Sequence, residues 1–181
     1  MLKLEDNPPA VFPEDALTDS DSRWWVAHTK ARREKALAWD LHANNIPYFL
    51  PMIERNKVWG GRKRKVLKPL FSSYLFFCGN EEDRSTAFGT DHLCATLVVP
   101  QRDQFVNELR AIHRALSEKI DLEIDGLAAP GRRCRVKEGP LKGIEGTVVH
   151  RQGRTRLMLN VTVVGRGTSL EIDADLLEAL G

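Results

Sequence analysis

The chain has 181 residues, with 27 Lys plus Arg against 25 Asp plus Glu and a formal net charge of +2. Its 42% hydrophobic and 29% charged residues are globular values, which exclude a wholly disordered chain, a collagen and a coiled coil. No run approaches the roughly 20 apolar residues that a membrane span needs, so no membrane partner is expected. The first residues lack an apolar signal core. Cys78, Cys94 and Cys134 lie far apart, with no CxxC pair and no disulfide framework. These features point to a reduced, cytoplasmic protein.

The near-neutral total hides a strong segregation. Residues 1–22 carry a net −5, residues 23–68 a net +9, residues 69–130 a net −5 and residues 131–181 a net +3. The second block is dense enough to be the electrostatic footprint of a polyanion.

In chain order, residues 1–22 combine three prolines with many acids and read as a disordered acidic leader. Trp24 to Ala27 form an aromatic, β-branched strand. Thr29 to Arg33 make a basic loop, and Glu34 to Asn44 a helix with Leu37 and Leu41 on its packed face. Tyr48 to Leu50 are a second strand, ended by Pro51. Ile53 to Val66 read as a basic hairpin turning at Gly60-Gly61. Pro69 to Phe77, PLFSSYLFF, is the most apolar run and predicts a central strand. A short helix over Glu82 to Phe88, a strand at Leu97 to Val99 and an amphipathic helix over Arg102 to Ser117 complete a module at 23–118. Residues 119–130, acidic and ending in Pro130, read as a linker. After it come short β segments at Arg133–Val136, Ile144–His150, Arg156–Val163 and Ser169–Ile172, which suggest a small barrel at 131–181.

No catalytic constellation emerges. The five histidines are scattered, and no HExxH, GxxxxGK[ST] or GxSxG occurs. Asp91-His92-Leu93-Cys94 alone crowds His, Cys and a carboxylate, and it has no further ligand or base at a useful spacing. The chain is therefore expected not to be an enzyme, with no cofactor and no metal. Two other features invite binding. Lys30, Arg32, Arg33 and Lys35 surround a helix N-terminus, with Lys35, Trp39 and His42 on one stripe, and Arg62-Lys63-Arg64-Lys65 line a hairpin arm. Such charge suits phosphates whatever the base sequence; it also suits a solvated face with Trp39 turned into the core. On the apolar strand, alternation separates Tyr74 and Phe76 from Leu75 and Phe77. Tyr74 and Phe76 are either a protein-binding outer face or plain core.

The residues RWWVAHT, then REKA, IPYFLPMI and PLFSSYLFF, resemble the N-terminal (NGN) module of NusG-type transcription elongation factors. RCRVKEGPLKGIEGTVV, with Gly139-Pro140, Gly143 and Gly146, resembles the KOW motif of their C-terminal barrel, and LMLNVTVVGRGTSLEID looks like its continuation. The resemblance covers about residues 22–181 in the family's order. LPMIERNKVWGGRKR and KPLFSSYLFF look closer to the specialised, RfaH-like branch. The family's common PLFPGYLF is altered, with Ser72-Ser73 in place of Pro-Gly.

The resemblance implies an α+β protein. Its parts would be an α/β NGN-type module with a mainly antiparallel sheet, an acidic linker and a small SH3-like KOW β-barrel. It implies docking on the clamp helices of the largest RNA polymerase subunit through Leu50, Phe71, Tyr74 and Phe76, which favours the outer-face reading. Thr86 alone survives of a segment contacting the second-largest subunit. It implies a hold on the non-template DNA strand, for which Lys30, Arg32, Arg33, Lys35, Arg62, Lys63, Arg64 and Lys65 are the candidates. Other base-reading positions fall on Ala36, Asp40 and Leu93-Cys94, so a different DNA element is expected. Leu141, Ile144, Val163, Val164 and Arg166 match partner-binding positions of the barrel, toward a small-subunit ribosomal protein. Val164 stands where general factors carry an aromatic, which disfavours Rho. The RfaH barrel can refold into a helical hairpin docked on the polymerase site. A carboxylate of that docking falls on Lys68 and the VTVV run favours strands, so a stable barrel is expected. The implied role is a monomeric, operon-selective antiterminator. The rivals are a general NusG-like factor coupling to ribosome or Rho, and a KOW-type RNA- or ribosome-binding protein without a polymerase role.

Overall fold

The computed structural model describes residues 4–18, 22–125 and 131–180. The chain is α+β, with three α-helices and antiparallel strand pairing among the described residues. It divides into two compact units, Met1–Arg102 and Asp103–Gly181. The division falls ahead of the helix expected to close the first module, which groups with the C-terminal strands. No helix among the described residues is long and apolar enough to cross a membrane.

The first unit runs β1 (Val11–Phe12), β2 (Trp24–Thr29), α1 (Glu34–Ala43), β3 (Tyr48–Phe49), β4 (Met52–Trp59), β5 (Arg62–Pro69), β6 (Tyr74–Cys78), α2 (Glu81–Gly89) and β7 (Leu93–Val98). Five strands form one sheet in the order β1-β3-β6-β2-β7, while β4 and β5 make a separate two-stranded ribbon. Pleating sends Trp25, Ala27, Leu75 and Phe77 to one face, where Leu37, Ala38 and Leu41 of α1 and Ala87 of α2 cover them. Each fully buried large side chain on this face contributes roughly 1.5–3 kcal/mol, and Val26, Phe49 and Phe76 on the opposite face are fully buried as well. Helix α2 starts at a capping box in which Asn80 accepts from Glu82 and Asp83 and Asp83 accepts from the Asn80 N–H.

Three local expectations give way in this unit. The acidic leader is not unstructured where it is described. Val11-Phe12 pair with Tyr48-Phe49, and Ala16 and Leu17 are buried. The apolar pair between Pro9 and Pro13 finds a sheet edge to cover, which composition alone cannot reveal. The run 69–77 is not one strand. Tyr74 donates its N–H to Phe71 and Ser73 takes a left-handed φ of 67°, so a turn separates β5 from β6. Strand β7 begins at Leu93, ahead of Leu97.

The second unit holds α3 (Arg102–Ser117, its first residue at the division), β8 (Glu123–Asp125), β9 (Arg132–Val136), β10 (Glu145–Arg151), β11 (Arg154–Val161), β12 (Arg166–Glu171) and β13 (Leu177–Ala179). The strands make a six-stranded sheet in the order β13-β9-β10-β11-β12-β8. Gly146 is needed there. A Cβ on it would stand 2.5 Å from the Met158 carbonyl of β11. The expected linker contributes β8, paired with Gly167, Thr168 and Ser169 of β12. The alternation of Ile120, Leu122 and Ile124 with acids gives the segment a strand's period, and Leu122 is buried. The strand expected through Val163 stops at Val161. Thr162–Val164 form a 3-10 turn closed by left-handed Gly165.

Candidate functional site

The basic loop after β2 is built on a bulge at His28/Thr29 and is stapled to the segment before β7. The Lys30 N–H donates to the His92 carbonyl at 2.9 Å, and Lys30 Nζ lies 2.6 Å from Asp91 Oδ1. That hydrogen bond and the lysine's charge hold the Asp91 carboxyl below its usual range. Arg32 is exposed and left-handed, with φ 62°. Arg33, also exposed, sits at the N-cap position of α1, where the helix's free N–H groups add to the positive field. Trp39 is 41% exposed and meets His42 edge-on at 5.6 Å, so its ring is not turned into the core.

Lys35 departs from its expected role. Its ammonium donates to the Leu67 carbonyl at 2.6 Å and to the Asn7 side chain at 2.5 Å. It ties α1 to β5 and to the leader, and burial lowers the pKa of the amine. A half-buried amine that satisfies a backbone carbonyl is a structural tie and not a phosphate contact. Arg62, Lys63, Arg64 and Lys65 are all exposed on β5.

On the sheet face away from α1 and α2, Phe49, Phe76, Val26 and Leu97 stand in register across β3, β6, β2 and β7. Tyr74 and His28 form the next rung, stacked at 5.1 Å with both half-buried. Of the strand residues expected to touch a partner, Tyr74 is the accessible one. Phe71 is 3% exposed and Phe76 is fully buried, their rings 6.1 Å apart. Leu50 belongs to the core under the helices. The resemblance alone placed Leu50 at the docking surface; here it also donates its N–H to the Ala10 carbonyl of the leader at 2.7 Å. Thr86 is exposed on α2.

The crowded Asp91-His92-Leu93-Cys94 segment resolves into separate contacts. Asp91 meets Lys30, His92 Nε2 lies 3.2 Å from Asp40, and Cys94 is exposed on β7. Among the described residues no three His, Cys, Asp or Glu side chains are grouped to hold a metal.

In the second unit, Leu141 and Ile144 are buried at 5%, Val163 and Val164 are half-buried in the 3-10 turn, and Arg166 is exposed at the start of β12. Ile144 lines a cleft between α3 and β10 whose rim carries Arg110, Arg114, Arg133 and Lys142. Helix α3 is fastened there by Arg114, which donates to the Lys142 carbonyl at 2.7 Å, and by Glu108, which accepts from the Thr162 N–H. Leu141 and Ile144 are therefore packing residues in this structure, and Val163, Val164 and Arg166 are the accessible members of the set. Reading the sequence missed Glu34 and Arg156, two charged residues whose partners are distant in sequence, and missed the tie of Asp91 to Lys30.

A family model described as "NusG: Transcription termination factor nusG" matches residues 22–111. The transcription termination/antitermination protein NusG of Thermus thermophilus is 28% identical over 175 residues, covering 83% of this chain and 94% of that protein. Among solved structures, Thermotoga maritima NusG aligns at 19% identity with a TM-score of 0.46, over 89% of this chain and 98% of that one. The MjSpt4:Spt5 complex aligns at 12% identity with a TM-score of 0.26, over 87% of this chain and 97% of that one.

Proposed function

The chain belongs to the NusG family of transcription termination and antitermination factors through residues 22–111, and from that premise we propose that it binds the clamp helices of RNA polymerase and suppresses pausing or termination on selected operons. The observation that carries this reading is the placement of Tyr74. Its half-exposed ring stacks on His28 over buried Phe76 and Phe71, on the sheet face that α1 and α2 leave uncovered. A rigid aromatic seated on an apolar base is the kind of anchor that dominates protein interfaces. No covalent step is involved. A ligand that binds the closed-clamp, elongating state better than the paused state shifts the population toward elongation.

The exposed cations Lys30, Arg32, Arg33 and Arg62 to Lys65 are proposed to hold the non-template strand through its phosphates, with base choice left to other side chains. Thr86 is proposed to reach the second-largest polymerase subunit. Val163, Val164 and Arg166 are proposed to meet a small-subunit ribosomal protein. The second reading is a general NusG-like factor coupling to ribosome or Rho, in keeping with the 28% identity to the Thermus protein NusG.

The test is in vitro transcription on a template with one pause and one terminator, together with polymerase binding. The protein should increase readthrough, and Tyr74→Ala should weaken polymerase binding by at least about tenfold, the loss of a hot-spot aromatic. Unchanged readthrough with bound polymerase removes the antitermination claim; unchanged binding by Tyr74→Ala removes the clamp contact. Occupancy on nearly all genes decides for the general factor.

A further inference from the structure

The four consecutive cations Arg62-Lys63-Arg64-Lys65 do not form one patch. Gly60 and Gly61, with φ of 55° and 75°, give β4 and β5 the two-residue turn with two left-handed positions that fixes a hairpin's register. In that register Lys57 opposes Arg64, Arg55 opposes Val66, Val58 opposes Lys63 and Asn56 opposes Lys65. Directly opposed residues share a face, and successive residues alternate. One face therefore gathers Arg55, Lys57, Arg62, Arg64 and Lys68, while Glu54, the acidic residue of the two strands, falls on the other. The other carries Lys63 and Lys65 with Val58, Asn56 and Glu54, and there Glu54 pairs with Lys65 at 2.7 Å.

The two faces differ in what they can bind. Lys57 and Arg64 stand directly opposite each other, so this face concentrates positive charge. Arg62 and Arg64 recur at about 6.7 Å along the strand, a repeat that lets the two guanidiniums reach neighbouring phosphates of one backbone. Guanidinium groups also give phosphate two parallel donors, which the lysines of the opposite face do not.

We propose that the Arg55-Lys57-Arg62-Arg64 face of the ribbon, and not the whole four-cation run, is the site that grips a phosphodiester backbone. Lys63 and Lys65 stay on the solvated side. This rests on the nucleic-acid reading above and divides its residues into two classes.

The experiment compares two variants of the full chain that remove the same charge from adjacent exposed positions, Arg62→Gln/Arg64→Gln and Lys63→Gln/Lys65→Gln. Binding to a mixed-sequence single strand and to its duplex is followed by fluorescence anisotropy between about 50 and 200 mM salt. The arginine pair should lose at least about tenfold in affinity at low salt, and its log–log salt slope should shrink by about 1.4 on single strand or 1.8 on duplex, the value for two phosphates. The lysine pair should change by less than about twofold with its slope unchanged. Whichever DNA shows the larger arginine-pair loss identifies the backbone that the face grips. Equal losses from the two pairs, or a larger loss from the lysines, overturn the division into faces while leaving nucleic-acid binding in place. Absence of binding by the unmodified chain to either DNA overturns both.

Discussion

Lys30 Nζ lies 2.6 Å from Asp91 Oδ1, so a cation expected to meet a DNA strand already has a carboxylate against it. A phosphate must displace that partner. Exposed pairs of this kind are weak, worth at most about fivefold in an equilibrium, and are screened by salt. Asp91→Asn should therefore raise single-strand affinity by up to about fivefold at low salt and by little at 0.5 M, and should do nothing in a Lys30→Gln background. A gain that persists without Lys30 would exclude the pair as its cause. The pH dependence has a definite sign. Because Lys30 depresses the Asp91 pKa, the pair is present above the unfolded-state value near 3.9 and is lost only as pH falls through the lower folded-state value.

Ser73 sits at φ 67° in the turn between β5 and β6, held by its N–H to Glu34 Oε1 at 2.7 Å and by its carbonyl accepting from Thr29 at 2.8 Å. A side chain in this region costs roughly 1–2 kcal/mol that glycine avoids. Ser73→Gly should stabilise the chain by about 0.5–1 kcal/mol after the glycine's added unfolded-state entropy, and Ser73→Val should destabilise it by about 1–2 kcal/mol. Urea denaturation reads both. Equal stability of all three proteins would mean that the turn carries no strain.

What the sequence made legible follows from how far each cause acts along the chain. The period of Leu37 and Leu41, the β-branched Trp24–Ala27 run and the Gly60-Gly61 turn are local, and the helix, strand and hairpin stand near where they were expected. The Pro-Gly-like spot at Ser72-Ser73 was visible as a departure from a family pattern, yet its consequence, a broken strand, depended on Glu34 at a distance of 39 residues. The same holds for the binding candidates. Charge run and aromatic strand were legible, but whether Lys35 was free or Phe76 presented depended on Leu67, Asn7 and the packing around β6. Exposure is a tertiary property, and no spacing encodes it.

Tyr48 tests the core directly. It is fully buried in the cluster under the helices, its hydroxyl has no hydrogen-bond partner among the described residues, and burial raises its phenol above the usual range. An unsatisfied buried hydroxyl costs about 1–3 kcal/mol, so Tyr48→Phe should be neutral or stabilising by about 1 kcal/mol. The raised pKa means that the neutral phenol's contribution is complete below the unfolded value near 10 and erodes as pH climbs above it. The wild type should thus lose stability between about pH 10 and 11 faster than Tyr48→Phe does. A loss of more than about 1 kcal/mol at pH 7 in the variant would show that the hydroxyl is bonded.

Arg156 is the buried charge of the second unit, and it anchors the strand that the acidic linker supplies. Its Nε donates to Ser169 Oγ at 3.0 Å, and its guanidinium lies 3.1 Å from Glu123 Oε1, while the Thr168 hydroxyl donates to the Glu123 carbonyl at 2.7 Å. The two partners are unequal, since the Arg156 side chain is 9% exposed and that of Glu123 62%. Removing the arginine sacrifices charge-assisted bonds in a poorly hydrated site and should cost about 2 kcal/mol. Removing Glu123 leaves Arg156 its serine and a route to water, and should cost only about 0.5 kcal/mol. Hydrogen exchange of the full chain separates these cases. Arg156→Ala should deprotect the amides of Thr168 and Ser169 and the β8 strand together, whereas Glu123→Ala should loosen β8 alone. Equal deprotection by the two variants would mean that the ion pair, and not the arginine's bonds within the sheet, holds the linker strand in place.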